Sequence, residues 1–240
     1  MKQSCFYVSL FVLLLPPLLL CQNSSADLHF QFQHRVNKEI LRLDSGLYRN
    51  TLNQAFHISK LRYYLSHVSL VYQNGEHADL PGVYLVDEDL PESKRLHFPG
   101  VPIGQLKCIR FMLGVDSLHN CSGAQSGALD PAQGMFWTWN SGYIFLKLEG
   151  HSPNSTAPGH FFEYHIGGYK APANCIRTIS LPITTGLKKG ESKTLQLFVN
   201  VMEILQGPST VDFSQLPSVT DSRYAEVIAN NYLDMFSLGE

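Results

Sequence analysis

Apolar and polar positions alternate with a period of two along much of this chain. Leu28, Phe30 and Phe32 are separated by polar residues, a pattern that puts one set of side chains on each face of an extended strand. Phe56 to Tyr72 is a longer extended stretch rich in β-branched and aromatic residues, and Asn74-Gly75 follows it as a turn. Further strands are predicted at Val83–Val86, Cys108–Val115, Met135–Leu148, Phe161–Ile166, Cys175–Leu181 and Leu195–Leu205. In the last of these, Leu195, Leu197, Val199 and Val201 share a face. Pro91–Gly104 carries three prolines and reads as a loop, and Gly167-Gly168 reads as a turn. Ser117–Gly134 is a long loop of Gly, Ser, Ala and Asn, of the kind that carries function in compact domains. Helical spacing occurs at the end, where Ala225, Ile228, Tyr232 and Met235 recur between Arg223 and Phe236, with Asp221 or Ser222 as cap. This order of elements predicts an all-β, β-sandwich or Greek-key-like single domain over residues 27–240, with a short C-terminal helix.

The first residues do not fit that pattern. Lys2 precedes an apolar run from Phe6 to Leu20 that Pro16 and Pro17 break, and Ser24-Ser25-Ala26 supplies small residues for cleavage. Residues 1–26 therefore read as a secretory signal peptide, with Asp27 as the first mature residue. Leu18-Leu19-Leu20-Cys21 is a poor lipobox, which leaves lipidation at Cys21 as the second option. A chain with such a leader is periplasmic or secreted. Cys108, Cys121 and Cys175 then make an odd count in an oxidising compartment, compatible with one disulfide and one free thiol of unassigned pairing.

The formal net charge of -2 brings no basic excess to neutralise phosphates, so composition argues against nucleic-acid binding. No Gly-x-Ser-x-Gly elbow, cysteine-protease signature or Gly-rich phosphate loop is present. Asp87, Glu88 and Asp89 sit in a Pro-flanked segment and read as solvated carboxylates. Trp137 and Trp139, the two tryptophans of the chain, are separated by Thr138 alone. On a strand they share a face, and Tyr143 joins them if no bulge intervenes. Three aromatics so placed serve as core, as a sugar-stacking platform, or as a site of tryptophan modification.

The motifs occur in an ordered series. Tyr63-Tyr64-Leu65-Ser66 comes first, then Gly114-Val115-Asp116-Ser117 and Gly127-Ala128-Leu129-Asp130-Pro131. Gly134-Met135-Phe136-Trp137-Thr138-Trp139-Asn140-Ser141-Gly142-Tyr143 leads into Lys147-Leu148-Glu149-Gly150 and Tyr164-His165-Ile166-Gly167-Gly168. Ile228-Ala229-Asn230-Asn231-Tyr232-Leu233-Asp234-Met235-Phe236 closes the series. This series resembles the MbnP-like copper-binding family. The resemblance implies a non-enzymatic periplasmic or extracellular protein that binds one copper, chiefly as Cu(I). It further implies oxidation of the first tryptophan of the Trp-x-Trp pair, Trp137 here, to kynurenine by a MauG-like di-haem peroxidase.

Intact indole nitrogen is a donor only, whereas the aryl amine of kynurenine can ligate a metal, and imidazole suits copper. Among the ten histidines, His165 is the first candidate ligand beside Trp137. His34, ending the first strand, is the second. His119 is third, in a His119-Asn120 order that departs from the family's Asn-His. His67 stands where the family shows Asn and reads as incidental, and Met135 and Met235 read as core. The rival function is a carbohydrate- or ligand-binding module in which Trp137, Trp139 and Tyr143 stack on the ligand. An oxidoreductase that uses the copper ranks last.

Overall fold

The computed structural model describes residues 25–137, 142–171, 173–220 and 222–239. The alternation seen at Leu28, Phe30 and Phe32 runs the full length of a strand from Ser25 to Val36, where every second residue from Ala26 to Val36 is buried. That strand lies parallel to Ser192–Asn200 and antiparallel to Arg95–Pro102. With Phe236–Leu238 and Glu39–Ile40 they make a five-stranded sheet.

A second, nine-stranded sheet is organised by one long strand, Ala55–Tyr72. Residues His57 to Tyr63 pair with Gly142–His151, and Leu65 to Tyr72 pair with Gly104–Leu113. Phe161–Gly167 extends the sheet beyond Gly142–His151, and Arg177–Leu187 extends it beyond Gly104–Leu113. The two sheets meet through aromatic contacts. Tyr63 lies edge-on to Phe32 and Phe236, and Phe111 packs on Phe236 at 4.9 Å between ring centroids. The expected sandwich is present, and Leu195, Leu197 and Val199 face its interior as expected.

The helix is present as Ser222–Asn231 followed by a short 3-10 turn, and Ala225, Ile228, Tyr232 and Met235 are all buried. Asp221, one of its two expected caps, lies outside the described residues. Among those residues no helix is long and apolar enough to cross a membrane.

Three segments differ from the sequence expectation. Pro91–Gly104 is a single 3-10 turn followed by the strand Arg95–Pro102. Its prolines are accommodated because its ladder partner is the Ser25–Val36 strand alone, and a bulge between Ala26 and Leu28 absorbs the misfit. Leu195–Leu205 is not one strand. It ends at Asn200, and Met202–Gln206 turns into a helix that buries Met202, Ile204 and Leu205. Met135–Leu148 is split into Phe136–Trp137 and Gly142–His151, which pair antiparallel. The strand Ser25–Val36 also begins two residues before the expected cleavage point, with Ala26 buried against Val101.

Candidate functional site

The edge of the long strand passes from one partner to the next near Tyr64, and there the chain leaves the sheet. Gly114 N–H donates to Tyr64 O, and residues 114–137 form an excursion of short helical turns, Ser117–Cys121, Gly127–Leu129 and Pro131–Gln133. The segment expected as an open loop is thus largely ordered. Asp116 caps the first turn by accepting from His119 N–H. Asn120, 4 % exposed, donates to Val115 O and Asp116 O and accepts from Tyr143 N–H at 3.0 Å. Asn120 is therefore the clasp between the excursion and the returning strand. Nothing in the local sequence around His119-Asn120 marks that role.

The excursion lies over the outer face of the second sheet. Arg62, Lys147 and His165 occupy facing positions on three neighbouring strands. Arg62 donates to Gln133 O at 2.9 Å and Lys147 donates to Gly134 O at 2.6 Å, so two cations hold the last turn before Trp137. Burial pulls the Lys147 ammonium below its ordinary pKa. His165 Nε2 lies 2.8 Å from Glu149 Oε1. That hydrogen bond, with the charge beside it, holds the Glu149 carboxyl below its ordinary range despite partial burial. With Glu149 ionised, Nε2 donates to it, and Nδ1 is the ring nitrogen left outside that hydrogen bond.

Trp137 reaches the same face. A Cβ placed on Gly167 would stand 2.6 and 2.7 Å from Trp137 Cζ3 and Cη2, so the six-membered part of the indole sits directly on the Gly167 backbone. Gly167 and His165 are two residues apart on one strand, whose pairing with Gly142–His151 shifts register between Ile166 and Gly167. The Trp137 ring therefore packs on the strand that carries His165, at a position two residues from it. Gly167, expected as part of a turn, has a second role: a side chain there would occupy the seat of the indole.

His34 is placed elsewhere. It is buried on the inner face, with Nδ1 2.6 Å from Glu88 Oε2 and Nε2 3.0 Å from the Tyr63 hydroxyl. Burial lowers the pKa of His34. Burial alone would raise Glu88, but hydrogen bonds from His34 and Lys94 outweigh it and hold the carboxyl low. The pair is a neutral imidazole donating from Nδ1 to a carboxylate, and its Nε2 accepts the Tyr63 hydroxyl proton. Tyr63 and Arg62 are successive residues on a strand and project to opposite faces. His34 is therefore on one side of the second sheet, and Trp137 and His165 are on the other. Glu88, read from sequence as solvated, is the counter-charge of this network.

Tyr143 does not share an open aromatic surface with Trp137. It is fully buried on the partner strand, and its hydroxyl donates to Leu129 O at 2.8 Å. Met135 and Met235 are buried as expected of core residues. Trp139 lies outside the described residues. Cys108, Cys121 and Cys175 are all free thiols. His119 and His67 both contact Asp116, at the start of the excursion. Among the described residues, no three His, Cys, Asp or Glu side chains already converge to hold a metal ion.

The MbnP family model matches residues 25–221. Among solved structures, MbnP from Methylosinus trichosporium superposes with a TM-score of 0.61 at 15 % identity, covering 89 % of this chain and 98 % of that one. No curated protein matches the sequence.

Proposed function

Because the chain belongs to the MbnP family, we propose that it is an extracytoplasmic copper-binding protein whose site is built on Trp137 and His165. The observation that carries this reading is the placement of the Trp137 ring on Gly167, two residues along the strand from His165. Glu149 takes His165 Nε2 and leaves Nδ1 as the ligating nitrogen, the arrangement of a metal-bound histidine held by an outer carboxylate. Intact indole supplies no lone pair, so the second donor is the aryl amine of kynurenine formed from Trp137. An imidazole and an aryl amine make a low-coordinate nitrogen set suited to Cu(I).

The oxidation balances with peroxide as oxidant, supplied through a MauG-like di-haem peroxidase. Two peroxides cleave the indole C2–C3 bond and deliver two oxygens, giving N-formylkynurenine and two waters. Hydrolysis of the formyl amide then releases formate and frees the amine. Copper is cargo here: the protein holds it and hands it on, and turns over no substrate. His34 is left out of this donor set, because the sheet intervenes and Tyr63 occupies its lone pair. The rival stacking platform loses Tyr143 to the core.

Trp137→Phe tests the reading. The variant is expected to fold and to lose high-affinity copper, measured as metal content after purification from the native host. Full copper content in that variant contradicts the proposal.

A further inference from the structure

His67 is bulged out of the long strand. The pairing with His77–Asp87 shifts between Ser66 and Val68, and that with Gly104–Leu113 shifts between Ser66 and Ser69. Its φ of 48° is left-handed, a conformation that costs a non-glycine residue about 1 kcal/mol or more and persists where the surroundings impose it. A bulge re-aims a side chain, and here it aims the imidazole at Asp116. His67 Nε2 lies 2.6 Å from Asp116 Oδ2, and His119 Nδ1 lies 3.0 Å from the same oxygen. The three residues border a cleft of about 300 Å³ whose far wall includes Asp79, Leu80 and Val83.

The donor set is that of a divalent transition-metal site. Two imidazoles and a carboxylate suit Zn(II), Ni(II) and Cu(II). Asp116 is hydrogen-bonded to a nitrogen of each ring, at 2.6 Å from His67 and 3.0 Å from His119, so the three side chains already neighbour one another. The carboxylate now lies between the rings, each hydrogen-bonded to it. Seating an ion replaces two N–H protons and requires the rings to turn toward each other. Both can turn at little cost, since their side chains are 57 % and 37 % exposed. Burial works against the charge on Asp116, yet hydrogen bonds from His119 and His67 hold its pKa down to about 2, so the carboxylate is anionic at every working pH.

We propose that His67, His119 and Asp116 form a second metal site, for a divalent transition ion, that assembles at the mouth of this cleft when the ion binds. It uses neither Trp137 nor His165 and does not depend on the copper reading.

The test is calorimetric titration of the full mature chain with Zn(II) alone, with Co(II) absorption as a second readout of nitrogen ligation. The parent is expected to take up one Zn(II) at this site. His67→Asn and His119→Gln are each expected to weaken it on the order of 10- to 100-fold, and the double variant to abolish it. Circular dichroism checks that these exposed substitutions leave the fold intact. A double variant that binds Zn(II) with the parent's stoichiometry and affinity overturns the proposal, as does a parent that binds none.

Discussion

The indole of Trp137 rests on the backbone of Gly167, in space that any side chain at that position would fill. Gly167→Ala forces either the ring or the strand to shift, because its Cβ would also meet Tyr143 O at 2.5 Å. Overpacking of this kind costs about 1–3 kcal/mol. Thermal unfolding of Gly167→Ala is expected to show that loss, together with an altered tryptophan emission spectrum. An unchanged midpoint and spectrum would mean that the ring does not depend on this seat.

Tyr63 and His34 share one hydrogen bond across the interior. Tyr63→Phe leaves a buried imidazole nitrogen without a partner, at a cost of about 1–3 kcal/mol. The variant is expected to lose stability by denaturant titration and to keep the parent's copper affinity. A large change in copper affinity would bring His34 back into the ligand set.

The His34–Glu88–Lys94 network sets a pH dependence. The folded-state pKa of Glu88 is lowered, so its contribution is present above the unfolded carboxylate value and is lost as pH falls through the folded one. His34 is also lowered, so the unfolded chain takes up its proton first, and stability falls as pH drops below the ordinary histidine value. Both effects have the same sign. Stability is expected to decline from neutral pH toward pH 4, and Glu88→Gln is expected to flatten that decline. A parent whose unfolding midpoint is level across this range contradicts the assignment.

The thiols separate by environment. Burial pushes the Cys175 thiol up to about 12, while Cys121 is exposed. The thiolate is the reactive form. Alkylation of the native protein followed by peptide mapping is expected to label Cys121 quickly and Cys175 only on unfolding. Labelling of Cys175 in the folded chain would place it nearer solvent than the structure does.

Much of this architecture was legible in the chain because burial imprints a period. Leu28, Phe30 and Phe32 marked a strand with one buried face, and Ala225, Ile228, Tyr232 and Met235 marked the final helix. What escaped was set by tertiary partners. Arg95–Pro102 looked like a loop because its prolines are tolerated only with a single ladder partner, and nothing local reveals that it has just one. The parallel pairing of Ser25–Val36 with Ser192–Asn200 joins segments too distant for any local signal. At the site, Trp137 and His165 are legible from residue type and resemblance, and the Trp137 ring packs on the strand that carries His165. His34 lies in the interior with Glu88 and Tyr63, a placement decided by packing and not legible at a strand end. Gly167 and Asn120 act through an absent Cβ and a buried amide, features with no periodicity.

The most direct measurement is a peptide mass spectrum of the segment Phe111–Lys147 from protein purified from its native host under copper-replete conditions. The account predicts a tryptic or related fragment in which Trp137 has gained one oxygen and lost one carbon, the net change from tryptophan to kynurenine, with Trp139 unmodified. An intact Trp137 in a copper-loaded protein would contradict it and return this residue to a packing role on Gly167.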